Sequence, residues 1–201
     1  MRRRIIHICG THPDLVDLDA MPGEVWILGA SYARQGSGPW ARAFDVHPLH
    51  QTAYHPGILG TRPEAWRWYQ QQTKPIYLID AHPDVPASVA YPRAAIAARF
   101  GVRADTAFAS SIDQMMALAL FEGCDEIRLE MVRMHGIGEW YTQRETLGYW
   151  IGRAEGMGVT VVTDPLSALC QPETVYGFGD VTGVQRAPAC VLVNGLPGMV
   201  Q

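Results

Sequence analysis

Four stretches of this chain carry residue types that can do chemistry. The first is Gly10-Thr11-His12-Pro13-Asp14, which follows the apolar run Ile5-Ile6-His7-Ile8-Cys9. In open parallel sheets ligands bind outside the carboxyl ends of strands, and a glycine there lets backbone N–H groups approach a phosphate. His12 stands where a G-x-G-x-x-G loop has its second glycine, so a purely structural turn is the competing reading. The second stretch is Ser110-Ser111, ahead of Met115, Met116 and Leu118. Two hydroxyls and the unsatisfied N–H groups of a helix start form an anion-binding corner, with an ordinary N-cap as the alternative. The third holds His47, His50 and His55, with Asp80-Ala81-His82-Pro83-Asp84 further on. Imidazole and carboxylate serve as proton carriers and as metal ligands, and no metal centre is assigned from them. The fourth is Glu139 to Glu145, in which Gln143 and Arg144 can face a ligand or form a solvated helical face. It follows the loop Met134 to Gly138, which contains His135. His47 and His135 are the candidate bases, because a histidine near neutral pH can take a proton from an acceptor hydroxyl.

The elements that must position these groups follow from the hydrophobic pattern. Ile5–Cys9, Glu24–Leu28, Arg42–Val46, Ile76–Ile79, Glu126–Val132 and Val159–Val162 read as strands, each closed by turn residues or followed by a polar loop. Between them, Pro63–Gln72, Tyr91–Phe100, Ser111 to Gly123 and Trp140–Glu155 return to the helical period. Strands interleaved with helices require crossovers, hence an α/β fold: a single Rossmann-like three-layer domain with a mostly parallel sheet over residues 1–172. Residues 173–201 hold five Gly and two Pro and no long periodic segment. They read as a C-terminal arm, which either packs on a partner subunit or wraps its own domain.

Composition sets the outer bounds. With 201 residues, 48% hydrophobic and 18% charged, the chain fits one globular domain with a well-buried core. No apolar run reaches the ~18 residues of a membrane helix. The Arg2-Arg3-Arg4 cluster precedes an apolar stretch that ends at Gly10, too short for a signal peptide, so a cytoplasmic setting is expected. Cys9, Cys124, Cys170 and Cys190 form no C-x-x-C pair and read as free thiols of a reducing compartment. A net charge of -4 argues against coating nucleic acid by bulk electrostatics. Lys74 stands beside fifteen arginines; either base composition or phosphate recognition accounts for that excess. Arg34, Arg42, Arg133 and Arg144 are the ones expected near ligand-facing strand ends. No G-x-S-x-G elbow, P-loop or H-E-x-x-H occurs.

Several strings recur in order in a group of small bacteriophage and prophage proteins that this chain resembles over most of residues 4–179. They are Gly10 to Leu15, Val25-Trp26-Ile27-Leu28-Gly29, Phe44-Asp45-Val46-His47, Phe108-Ala109-Ser110-Ser111, Asp125 to Leu129, Glu139-Trp140-Tyr141-x-Gln143-Arg144 and Tyr149-Trp150-Ile151-Gly152. That group is distantly similar to the Rossmann-like superfamily of bacterial sialyltransferases and archaeal pterin pyrophosphokinase-like proteins. The resemblance implies a nucleotide or nucleotide-sugar, with Gly10, Thr11, Pro13 and Asp14 on the first loop and Ser110 and Ser111 at the second corner; His12 in that loop and Arg144 from the arginine inventory are further candidate contacts. Four positions depart from the superfamily's pattern: His12 for glycine, Asp14 for serine, Gly29-Ala30 for an asparagine and Ile112 for glycine. The Asp80-Ala81-His82-Pro83-Asp84 string is also similar to one metal motif of arginase-like ureohydrolases, and no other feature of that family is present. Two functions follow: a small glycosyltransferase-like enzyme, or a non-enzymatic phage accessory protein that assembles with itself or with another phage protein.

Overall fold

A computed structural model describes residues 3–10, 17–29, 39–48, 63–134, 139–164 and 167–169. Seven strands form one sheet: β1 Ile5–Cys9, β2 Glu24–Leu28, β3 Arg42–Asp45, β4 Ile76–Leu78, β5 Ser88–Ala90, β6 Glu126–Glu130 and β7 Thr160–Thr163. Their order is β5-β4-β3-β2-β1-β6-β7, and every pairing is parallel. Among the described residues four α-helices accompany them: α1 Pro63–Gln70, α2 Arg93–Phe100, α3 Ser111–Glu122 and α4 Glu139–Gly156.

The three layers follow from strand alternation. Ile6 and Ile8 of β1, Trp26 of β2, Phe44 of β3 and Ile127 and Leu129 of β6 point to one face, where α2, α3 and α4 cover them. Cys9, Val25, Ile27, Ala43, Ile76 and Leu78 point to the other, under Ala65, Trp66 and Tyr69 of α1. A central parallel strand buried on both faces reads as a near-continuous apolar run, interrupted in Ile5–Cys9 only by His7. Helix α3 is buried from Ile112 through Leu120, because it is packed by β1 and β3 below and by α2 and α4 on its flanks. From Met115 through Leu120 it is apolar on all sides, as a helix in that position requires.

The element boundaries differ from expectation in ways that have causes. Pro92 occupies the N-cap of α2, which therefore starts at Arg93 instead of Tyr91. Strand β6 stops at Glu130 because Met131 adopts φ 58°, a left-handed turn that leaves the ladder. β7 is displaced by one residue to Thr160–Thr163. The edge strand β5 was not anticipated: Ser88-Val89-Ala90 is short and mostly exposed, so no apolar run marks it. Short edge strands limit unwanted pairing with other chains. The proposed arm, residues 173–201, lies outside the described residues. No helix among the described residues is long and apolar enough to cross a membrane.

Candidate functional site

Because every strand is parallel, all seven carboxyl ends lie along one edge of the sheet, and the helices that run back against them start at that edge. The chain lays β1 to β5 outward in one direction and then returns to place β6 on the other side of β1. The topological switch point, where open α/β sheets hold ligands, therefore falls between the ends of β1 and β6. Gly10 sits there. Its N–H donates to the Glu130 carbonyl at 2.8 Å, and a Cβ at Gly10 would stand 2.6 Å from the Met131 carbonyl oxygen. Met131 and Met134 both have positive φ, 58° and 51°. Left-handed non-glycine backbone is strained, and such strain concentrates at functional sites. The exit of β7 holds this loop in place: Ser167 Oγ donates to the Val132 carbonyl at 2.8 Å and Ala168 N–H to the Arg133 carbonyl at 2.7 Å. Thr11, His12, Pro13 and His135 lie outside the described residues.

His47 follows the end of β3 and is tied to the sheet by a carboxylate. Its Nδ1 lies 2.6 Å from Asp45 Oδ1, and Tyr69 of α1 donates its hydroxyl to Asp45 Oδ2 at 2.6 Å. Tyr69 is fully buried, while the His47 side chain is 52% exposed. Gly29, after β2, makes this possible: a Cβ there would stand 1.9 Å from the Tyr69 hydroxyl and 3.1 Å from Asp45 Cβ. A carboxylate on Nδ1 fixes the tautomer that keeps the lone pair on Nε2, and it stabilises the imidazolium formed when Nε2 takes a proton. Gly29→Ala should therefore push the phenol off Asp45 and let the His47 ring reorient. The check is the imidazole Nδ1–H proton signal, expected in the wild type and lost or broadened in the variant; an unchanged signal would disprove the clamp. Asp45 and Tyr69 were not singled out from the sequence. The Asp45-x-His47 spacing at a strand end carried the signal, since residues two apart share a face of a strand.

Helix α3 also starts at the carboxyl edge, on the other face of the sheet. Here part of the expected donor set is already used. Ser110 is the N-cap, its Oγ accepting the Asp113 N–H, and Asp113 Oδ2 accepts the N–H groups of Ala109 and Ser110 at 2.9 Å each. Thr146 of α4 donates its hydroxyl to the same oxygen at 2.8 Å. The chain thus supplies its own anion to this corner. Burial raises the Asp113 carboxyl to about 6, although the hydrogen bonds from Thr146, Ala109 and Ser110 pull the other way. Arg144 lies in the second turn of α4, two residues from Thr146, and is half-buried. Topology thus brings Gly10, His47, Ser110, Ser111 and Arg144 to one edge, with His47 on the α1 face and Ser110 on the α3 face.

Other candidates lie elsewhere. Arg42 opens β3 and so sits at the amino end of the sheet, which corrects the expectation of a ligand-facing position. There it forms an ionic quartet: Arg42 and Arg4 both pair with Glu24 and with Glu122, and the Arg42 guanidinium lies 4.7 Å from the Trp26 ring centre. Arg133 pairs with Asp164 at 3.2 Å. His82 packs its edge on Trp66, and its Nδ1 accepts the Asp84 N–H at 3.2 Å. Among the described residues no three metal-ligating side chains cluster; His50, His55 and Arg34 lie outside them. Cys9 and Cys124 are buried free thiols, raised by desolvation to about 12 and about 11, which makes them poor nucleophiles. A buried histidine was missed in the apolar run of β1: His7 Nδ1 lies 3.0 Å from Glu130 Oε1 and its Nε2 3.2 Å from the Pro22 carbonyl.

The seven-stranded parallel sheet with helices on both faces is a Rossmann-like α/β three-layer domain, an architecture consistent with nucleotide-binding proteins in general. No family model, curated protein or solved structure matches the chain.

Proposed function

We propose that this protein binds a nucleotide or nucleotide-sugar at the carboxyl edge of its sheet and acts as a small glycosyltransferase-like enzyme, with His47 as the base. The observation that carries this reading is the Tyr69–Asp45–His47 chain, in which a buried phenol and a glycine-made space hold a carboxylate against an exposed imidazole. In the reaction, Nε2 of His47 takes the proton of an acceptor hydroxyl as its oxygen attacks the sugar carbon, and the nucleotide leaves with the bonding electrons. Asp45 stabilises the charge that develops on the ring. Thr11 and His12, together with Ser111 and Arg144, supply the donors for phosphate, beside Gly10, whose N–H is held by Glu130, and Pro13, which has no N–H. The resemblance to phage proteins supports a phage setting and work in the host cytoplasm.

Asp113 favours a second reading. Its carboxylate holds the Ala109 and Ser110 N–H groups that a phosphate at this corner would need, as expected of a scaffold that has given up nucleotide binding. The chain would then be a non-enzymatic phage accessory protein, its partner a second copy or another phage protein. A thermal-shift screen with CMP, UDP, ADP and their sugars separates the two. A ligand at 100 times its Kd adds ~2.7 kcal/mol, which raises Tm by several degrees. No shift with any of them, with and without divalent cation, favours the scaffold.

A further inference from the structure

A second feature of the carboxyl edge is independent of His47. On the α2 face, over the ends of β3, β4 and β5, lies an open cleft of about 460 Å³. Val46, Ile79 and Tyr91 form its apolar walls, the first turn of α2 closes one side, and Asp80 and Arg93 are its charged groups. A volume of this order suits a small molecule. Tyr91 is a fixed wall, because it is buried and its hydroxyl donates to the Gln114 carbonyl at 2.8 Å. Arg93 reaches Gln114 Oε1 only at 3.5 Å.

Asp80 and Arg93 line the same cleft and do not pair with each other, and Asp80 makes no ion pair or hydrogen bond among the described residues. Two opposite charges that line one cleft with apolar walls without pairing are complementary to a ligand that carries both charges itself. A phosphate fits less well, since a dianion near Arg93 would also meet the Asp80 carboxylate, and a wholly apolar ligand would leave both charges without partners. We propose that this cleft binds a small zwitterion, its carboxylate on Arg93, its ammonium on Asp80 and its short aliphatic body against Tyr91, Val46 and Ile79.

The test is to titrate the ¹⁵N-labelled full chain with straight-chain ω-amino acids from β-alanine to ε-aminocaproic acid, alongside alkyl carboxylic acids and alkylamines of the same lengths. One chain length should shift the Tyr91, Ala94 and Ala95 amides and bind about tenfold or more tightly than the matching acid or amine. In Asp80→Asn that ω-amino acid should bind no better than the acid, and in Arg93→Gln no better than the amine. Both side chains reach solvent, so the variants are expected to fold. Shifts that do not depend on length, affinities unaltered by both substitutions, or no shifts at these amides would overturn the proposal. None of these outcomes depends on whether the protein binds nucleotide.

Discussion

Gly10→Ala is expected to destabilise the protein by about 2–3 kcal/mol, lowering Tm by roughly 5–10 °C for a chain of this size, with no ligand present. The added methyl would meet the Met131 carbonyl oxygen at 2.6 Å and the Val132 side chain at 3.1 Å. Neither can yield easily. The Met131 carbonyl is part of a left-handed turn, and Ser167 and Ala168 hold the carbonyls of Val132 and Arg133 immediately after it. Moving β1 away instead would strain the Gly10 N–H bond to Glu130 and the β1–β6 ladder behind it. Thermal and urea unfolding of the two proteins is the measurement. A glycine needed only for close approach to a phosphate predicts the opposite pattern: an unchanged Tm and lost nucleotide binding. The glycine that suggests a nucleotide loop in the sequence thus has a packing role of its own.

The second large effect is a pH dependence that belongs to Asp113. This side chain is fully buried and its Oδ1 has no hydrogen-bond partner. Its carboxyl is raised from 3.8 to about 6, mainly because burial penalises the charged form. A carboxyl with a raised folded-state value favours folding while it is protonated. That contribution is complete below the unfolded value of 3.8 and is lost as the pH climbs through about 6. The corresponding free energy is about 3 kcal/mol. Asp113→Asn removes the titration and keeps one oxygen acceptor for Ala109, Ser110 and Thr146. Wild type should therefore gain about 3 kcal/mol on the variant between about pH 7 and about pH 4, read from denaturant unfolding at each pH. Other carboxyl groups titrate in both proteins and cancel in the difference. A constant difference would show that Asp113 is solvated or compensated in the folded state. Above about pH 6 the ionised carboxylate also opposes a phosphate at Ser110, so the same titration bears on nucleotide binding.

Much of the scaffold was legible because burial in a parallel sheet leaves a strong local imprint. Ile5–Cys9 and Glu24–Leu28 are apolar runs of strand length, and the Ser110 cap and Gly123 stop of α3 are local signals that tertiary packing did not override. β5 was illegible because an exposed three-residue edge strand needs little apolar surface, only a neighbour to pair with. The site divides in the same way. His47 at a strand end was visible, but its link to Tyr69 spans 22 residues of separation in the chain and depends on the space at Gly29, which no local pattern shows. By position Asp113 is an ordinary first-turn acid of α3; that it fills the corner depends on Thr146 arriving from α4. Arg42 was misplaced although the strand bounds already settle its position: as the first residue of β3 it stands at the amino end, and a parallel sheet holds ligands at the carboxyl end.

The central claim is that a nucleotide or nucleotide-sugar sits at the carboxyl edge with His47 beside it. Its most direct test is to map amide and imidazole chemical shifts on titration with CMP, UDP, ADP and their sugars. The account predicts saturable shifts at Gly10, Gly29, Asp45, His47 and Ser111, with the amino-end quartet of Arg4, Glu24, Arg42 and Glu122 unmoved. Shifts confined to that quartet, or none at the carboxyl edge with any of these ligands, would contradict it.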